Sequence, residues 1–253
     1  MLSYDTFCNR SAELLRDKHP PGERGGWATT PHLLTQPTPL TWRVVSTARH
    51  ESSPGQSRPG AGDPPRAPAT PATPATPAVP TFRLEPAGPA HAAGMLAIYN
   101  REIELGTATF DMSPRSLEDQ LEWLAGHSGA HPAVVAVTTD EDGEDVVIGF
   151  GSLSPYRPRA AYSTTVEDSV YVAEGSQRLG IGRAILEELL RLAEAHGFHA
   201  VMARVGGHNE ASVALHTSCG FEMVGTEREV GRKFGRWLDV VCMQRLLGEA
   251  PPG

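Results

Sequence analysis

Several large protein classes are excluded by what this chain has little of. Cysteine is scarce: Cys8, Cys219 and Cys242 are odd in number and far apart along 253 residues. They do not form a disulfide framework, and a reducing, cytoplasmic setting is expected. No apolar run reaches the length of a membrane span. The first ten residues lack the basic start and apolar stretch of a secretory signal. Basic residues are not in excess, since the formal net charge is -8. Without a basic stripe, neither nucleic acid nor a membrane surface is expected as a partner. The histidines lack metal-ligand spacing: His196 and His199 straddle a helix end, and His127 and His131 flank a loop. No metal is therefore expected.

What is present divides unevenly. The first 80 residues are poor in apolar runs and rich in Pro, Ala, Thr, Ser and Gly. Residues 63–80 read DPPRAPATPATPATPAVP, a triplet repeat with a proline every third residue. Such a stretch is extended and hydrated, and serves as a docking tether or a passive linker. Residues 11–18 can form a short helix but carry no partner stripe. Residues 1–80 are expected to be a disordered extension, 81–248 one folded domain, and 249–253 a tail.

Beyond residue 80 strands and helices alternate. Residues 82–84 form a strand, and 91–105 a helix ended by Gly106. Ser113 is the expected N-cap of the next helix, with Pro114 at its first position and Leu117, Leu121 and Leu124 as its apolar stripe. Residues 133–137 and 146–153 are strands joined by an acidic turn containing Gly143, hence a hairpin. Residues 163–172 are another strand. The clearest helix is 181–196, where Ile185, Leu186, Leu189, Leu192 and Ala193 recur at helical spacing before Gly197. A strand at 200–205, a short helix at 210–218 and strands at 222–230 and 238–246 complete the pattern. The implied class is α/β, a mixed central sheet flanked by helices, with hairpins at both ends.

One turn stands out. Gln177-Arg178-Leu179-Gly180-Ile181-Gly182 follows a strand and opens the strongest helix. Glycines there let the backbone approach a ligand, and the helix N-terminus favours a pyrophosphate. Arg178 and Arg183 are placed to add charge. The pattern is no Walker loop, because no Lys-Ser or Lys-Thr pair follows. It stands too late in the domain for a dinucleotide fingerprint. Taken by itself, the turn is equally compatible with packing.

Its neighbours carry a resemblance. The strand Asp168-Ser169-Val170-Tyr171-Val172 precedes it, and Asn209-Glu210-Ala211-Ser212 and the segment from His216 to Phe221 follow. Together they resemble the GNAT acetyltransferase superfamily. Ile98-Tyr99-Asn100, Thr107 to Phe110, Arg159 to Tyr162, Thr165-Val166-Glu167 and Lys233 to Asp239 make the chain similar, within it, to the phosphinothricin and methionine sulfoximine acetyltransferase group. The resemblance spans about residues 82–246. It implies a GNAT fold, acetyl-CoA as donor, a small amino-acid-like amine as acceptor, and a homodimer. It also implies that Val170, Tyr171 and Val172 contact the pantetheine arm through their backbone. Gln177, Arg178, Leu179, Gly180, Ile181, Gly182 and Arg183 would cradle the pyrophosphate, and Asn209 would add a side-chain contact.

An attacking amine must lose a proton, and a carboxylate beside the thioester can take it. Glu167, on the strand that leads into the turn, is the candidate: an arbitrary strand glutamate is a solvated or salt-bridged residue, but the acetyltransferase group that the chain resembles has a glutamate in the same Thr-Val-Glu setting. In a regular strand Thr165, Glu167, Ser169 and Tyr171 share one face. By resemblance His216 stands where other members of the superfamily place a thiolate-protonating tyrosine. It is read either as that donor or as a helix histidine packed beside the donor molecule. Cys219 is read as a structural thiol. Arg159 suits bidentate capture of an acceptor carboxylate, with Arg157 as its alternative. Phe110, Tyr162 and Thr165 line the acceptor side, while Trp237 and Asp239 are core or dimer contacts. Other readings are acetylation of an antibiotic, a polyamine or a protein N-terminus, or a non-catalytic acyl-CoA-binding regulator.

Overall fold

The computed structural model describes residues 81–248 and the strand Val44–Val45. The expected disorder of residues 1–80, the helix at 11–18 and the tail after 248 otherwise lie outside the described residues. Val44–Val45 forms a two-residue strand, β1, on the outer edge of β2 (Phe82–Pro86).

The remaining strands are β3 (Ala133–Thr139), β4 (Asp145–Pro155), β5 (Thr165–Val172), β6 (Ala200–Gly206), β7 (Glu222–Lys233) and β8 (Arg236–Leu246). They form one sheet in the order β1-β2-β3-β4-β5-β6-β8-β7. Every pairing is antiparallel except β5 with β6. That exception follows from the connection: α3 (Ile181–Ala195) carries the chain back across the sheet between them, and a crossover of this kind yields parallel strands.

The sheet is covered on both faces. Alternate residues of the strands (Val134, Ala136, Ile148, Val166, Val201, Ala203, Val205) meet the apolar stripe of α3, chiefly Ile181, Ile185, Leu186 and Leu189. α4 (Glu210–Ser218) adds Val213 and Leu215 to this cluster. Gly151 on β4 leaves the room in which the Ile185 and Leu189 side chains lie against the sheet. On the opposite face Val135, Val137 and Phe150 pack under α1 (Ala92–Leu105) and α2 (Leu117–Gly126), through Met95, Tyr99, Ile103 and Leu124.

Two local expectations are corrected. α2 does not start at Ser113 and Pro114. Its cap is Ser116, whose Oγ accepts from Asp119 N–H at 3.1 Å while the Asp119 carboxylate accepts from Ser116 N–H at 2.9 Å. This reciprocal box outcompetes the serine-proline pair. The residues just before it are held elsewhere, because Asn100 of α1 bonds both the N–H and the C=O of Arg115 at 2.9 Å. The leucine stripe is not the buried face either. Leu117 and Leu121 are exposed, and α2 turns Gln120 and Leu124 towards the core.

Candidate active site

The site begins where the sheet comes apart. β5 and β6 are paired only at Thr165, Val166 and Glu167, opposite Ala200, Val201 and Met202. Beyond Glu167 no ladder pair joins them. The edge of β5 that faces this gap follows from strand alternation. Thr164 C=O accepts from His199 N–H on the β6 side, whereas Ala173 N–H donates to Ile148 O on β4. Even-numbered residues therefore address β6, and Asp168, Val170 and Val172 present their peptide groups to the gap. Tyr171, expected to contribute a backbone contact, directs its peptide groups to β4 opposite Phe150. Its ring packs between Phe150 and Tyr99, and burial holds its hydroxyl pKa well above the ordinary value.

The glycine turn closes one end of the gap. Arg178 and Gly180 both have positive φ, 62° and 84°, and Gly180 is the N-cap of α3. A Cβ on Gly180 would meet nothing, so it is the left-handed backbone that calls for glycine there. Gly182 is glycine for want of space: a Cβ would lie 3.3 Å from Leu215 and 3.4 Å from Val172, between α4 and the free edge of β5. Gln177 and Arg178 are exposed, Leu179 is half-buried and Ile181 is in the core. The Arg183 guanidinium is paired along the helix with Glu187 at 2.8 Å. Across the gap, Asn209 caps α4 by accepting from Ser212 N–H at 3.0 Å.

The two faces of β5 carry different chemistry. Asp168 points to the α4 side, where its Oδ2 lies 3.0 Å from His216 Nε2, with the side chains 1% and 5% exposed. His216 Nδ1 bonds Ser212 O at 2.7 Å, so both ring nitrogens are engaged within the protein. Burial lowers the His216 pKa, but the Asp168 contact and the Ser212 carbonyl together outweigh it and leave the pKa raised. Glu167 lies on the other face and forms no ion pair with Arg204. Burial pushes its pKa from the ordinary 4.5 up to about 7, while Arg204 and Arg157 pull it down and Asp168 and Glu227 push it up.

The acceptor-side residues come partly together. Phe110 lies against Gly206 of β6 and Gly231 of β7, with no room for a Cβ on either. Its loop is fastened from beneath by the buried Lys233, whose Nζ donates to Thr109 O at 2.9 Å and Glu102 O at 3.3 Å. Tyr99 adds a bond to Thr109 at 3.0 Å. Thr165 shares the face of Glu167. Tyr162 packs edge-on to Tyr156, with the Arg157 guanidinium 4.9 Å from the Tyr156 ring and 6.0 Å from that of Tyr162. It is Arg157 whose charge acts on Glu167 and Glu227. Arg159 is exposed, at the start of the short turn Ala160–Tyr162. Arg204, Glu227, Asp168 and Lys233 were not anticipated as site residues. A single charged side chain inside an otherwise apolar strand, as at Arg204 in Ala200–Gly206, is the signal that marks such a position. No group of three or more potential metal ligands occurs among the described residues.

A parallel pair opened by a splay, a glycine turn and a helix N-terminus at one end, and a carboxyl across the sheet form a fold-specific combination. The sequence model of the acetyltransferase (GNAT) family matches residues 95–221. This chain belongs to the acetyltransferase (GNAT) family. It is accordingly an acetyl-CoA-dependent N-acetyltransferase. It is 40% identical over 150 residues to the phosphinothricin N-acetyltransferase of Streptomyces coelicolor, covering 59% of this chain and 87% of that one. It is 38% identical over 162 residues to the L-methionine sulfoximine/L-methionine sulfone acetyltransferase of Pseudomonas paraeruginosa, covering 64% and 92%. Among solved structures, a GNAT superfamily phosphinothricin acetyltransferase from Sinorhizobium meliloti in complex with acetyl-CoA aligns with a TM-score of 0.62. That match is 38% identical and covers 66% of this chain and 89% of that one.

Proposed function

We propose that this GNAT enzyme acetylates the α-amine of a small amino-acid-like acceptor of the phosphinothricin or methionine sulfoximine type. The observation that carries the reading is Glu167: a carboxyl on the acceptor face, beside the splay, with no ion pair to another of the described residues and with a pKa near neutrality. A base is most useful when its pKa lies near the working pH. The names of the relatives support the acceptor class.

In this reading the pantetheine arm of acetyl-CoA enters the gap between β5 and β6, along the peptide groups of Val170 and Val172. The pyrophosphate meets the turn from Gln177 to Arg183. Asn209 keeps its amide NH2 for the arm, since only its oxygen is used in the cap. Free N–H groups on the edge of β5 polarise the thioester carbonyl. The amine nitrogen attacks the carbonyl carbon directly in the ternary complex, and Glu167 takes its proton, directly or through one water. The C–S bond then breaks and coenzyme A leaves as the thiolate. Arg157 holds the acceptor carboxylate, a role its position beside Glu167 favours over Arg159. Phe110 and Tyr162 wall the side-chain pocket. His216 holds α4 against β5 and does not protonate the thiolate, because donation would break one of its two internal bonds. The catalytic unit is residues 81–248, acting in the cytoplasm as a homodimer.

The test is Glu167→Gln, which keeps size and bonding reach but removes basicity. Acetyl-CoA binding should survive. With L-methionine sulfone or phosphinothricin as acceptor, kcat should fall by roughly 10²–10⁴-fold. A raised KM with kcat nearly kept would assign Glu167 to ammonium binding only. Wild-type kcat would remove it from the chemistry.

A further inference from the structure

The Arg204–Glu227 pair is the strongest feature that the proposed reaction leaves unused. Arg204 is two residues beyond Met202, which pairs with Glu167. It therefore lies on the same sheet face as Glu167, one step past the last ladder pair, and its charge acts on that carboxyl. An arginine and a glutamate so related are disposed to pair. Arg204 turns the other way. Its guanidinium reaches across β8 and forks onto Glu227 of β7, Nη1 to Oε1 at 2.9 Å and Nη2 to Oε2 at 2.6 Å. Cys242 of β8 lies beneath, its Sγ 3.9 Å from Nη1.

We propose that Glu227 is a positioning residue: by occupying both terminal nitrogens of Arg204 it keeps the guanidinium off Glu167, whose carboxyl stays free to face the acceptor amine. This rests on the reading of Glu167 as the acceptor-side base. Bidentate pairing is the strongest geometry open to a guanidinium and a carboxylate, so Glu227 competes well for Arg204. The other groups around Glu167 do not substitute for it. Arg157 approaches from the β4–β5 connection and is cationic. Asp168 adjoins Glu167 but is turned to the far face and bonded to His216. Ser154 lies opposite Glu167 on β4 and is bonded to His127 at 3.2 Å. Cys242 is a thiol whose pKa is raised, chiefly by burial.

The two halves of the pair then have opposite effects. Without Glu227, a negative neighbour is lost and Arg204 is released towards Glu167, and both changes favour the carboxylate. Without Arg204, a positive neighbour is lost and Glu227 is left unneutralised, and both favour the protonated acid. An ion pair that only stiffened the sheet would make the two variants behave alike.

The experiment is a carboxyl-carbon NMR titration of the full-length protein labelled with 13Cδ-glutamate. The Glu167 signal is identified by its disappearance in Glu167→Gln. In Glu227→Gln its midpoint should fall by about one pH unit or more, and in Arg204→Gln it should rise. A midpoint unmoved in Glu227→Gln, or moved in the same direction in both variants, overturns the proposal. The acidic limb of kcat/KM with L-methionine sulfone is recorded on the same proteins. A limb that persists in Glu167→Gln sinks the base reading while leaving the NMR result to decide the positioning role. A limb that vanishes in Glu167→Gln, together with an unmoved midpoint in Glu227→Gln, sinks the positioning role alone.

Discussion

Losing the Glu167 proton in the folded state carries a cost in stability that can be measured. In the fold its pKa is raised to about 7, mainly by burial, against 4.5 when unfolded. The fold therefore binds the proton more tightly than the unfolded chain. The stability linked to it is complete below the unfolded value and is lost as pH rises through the folded one. Glutamine mimics the protonated acid at every pH. Glu167→Gln should accordingly gain thermal stability relative to wild type between about pH 5 and about pH 8. Melting curves at both ends check this, and a difference that does not change with pH would mean that Glu167 titrates as an ordinary carboxyl. The same residue sets the limit of what could be read from sequence. Glu167 could be singled out as a candidate only because its Thr-Val-Glu setting matches the acetyltransferase group that the chain resembles; its place on the strand leading into the glycine turn makes the position plausible but does not select it. Arg204 and Glu227 were not legible, because their meeting depends on β8 lying between β6 and β7 in the sheet order, which no spacing in the sequence encodes. Arg159 was preferred to Arg157 for a similar lack of non-local information: they stand two residues apart in a connection, and it is the folded path that brings the Arg157 charge to bear on Glu167.

Among the elements, the β5–α3 unit gives the clearest view of how sequence becomes a binding edge. Its helix was legible from end to end, because an uninterrupted 3.6-residue apolar period bounded by Gly180 and Gly197 leaves one solution. α2 was misplaced because Ser113-Pro114 and Ser116 are both good caps. The choice was made by Asn100 gripping Arg115 from α1, a contact outside the helix. Its buried face was misread because Gln120, an unlikely core residue by type, occupies the inward position that the leucines seemed to claim. In the glycine turn Gly180 and Gly182 have different physical grounds, and this separates two outcomes. Gly180→Ala meets no neighbour but must hold φ near 84°, so it should cost about 1 kcal/mol of stability and still bind the donor. Gly182→Leu projects into the space between Val172 and Leu215, at the mouth of the splay. It should abolish the rise in melting temperature that acetyl-CoA gives wild type, a rise expected because the ligand binds only the folded state. A Gly182→Leu protein that keeps the full acetyl-CoA shift would place the donor outside the gap.

At the scale of the whole molecule, the two ends of the sheet differ in a way that bears on assembly. At one end β1 covers β2. At the other, β7 is an edge of 12 residues, long for a strand left open to pairing. The hairpin it makes with β8 also exposes Val224, Val230, Phe234 and Trp237, the last 59% exposed with the Arg232 guanidinium 5.4 Å from its ring. Large apolar side chains left exposed along one hairpin are costly to leave in water and are candidates for association. The 233–239 segment was singled out in the sequence by resemblance alone; exposure now gives it a physical reason. Among the described residues, both apolar clusters lie within residues 82–247. These arguments make a joint prediction. A chain starting at Thr81 and the full-length chain should both sediment as dimers at micromolar concentration and turn over acetyl-CoA at similar rates. Trp237→Arg combined with Phe234→Asp should shift either chain towards monomer, since both changes put charge where apolar contact is expected, while the fold, judged by its circular dichroism, is kept. A full-length wild-type protein that sediments only as monomer would refute the dimer. A truncated chain that is dimeric but inactive would instead give the first 80 residues a part in catalysis.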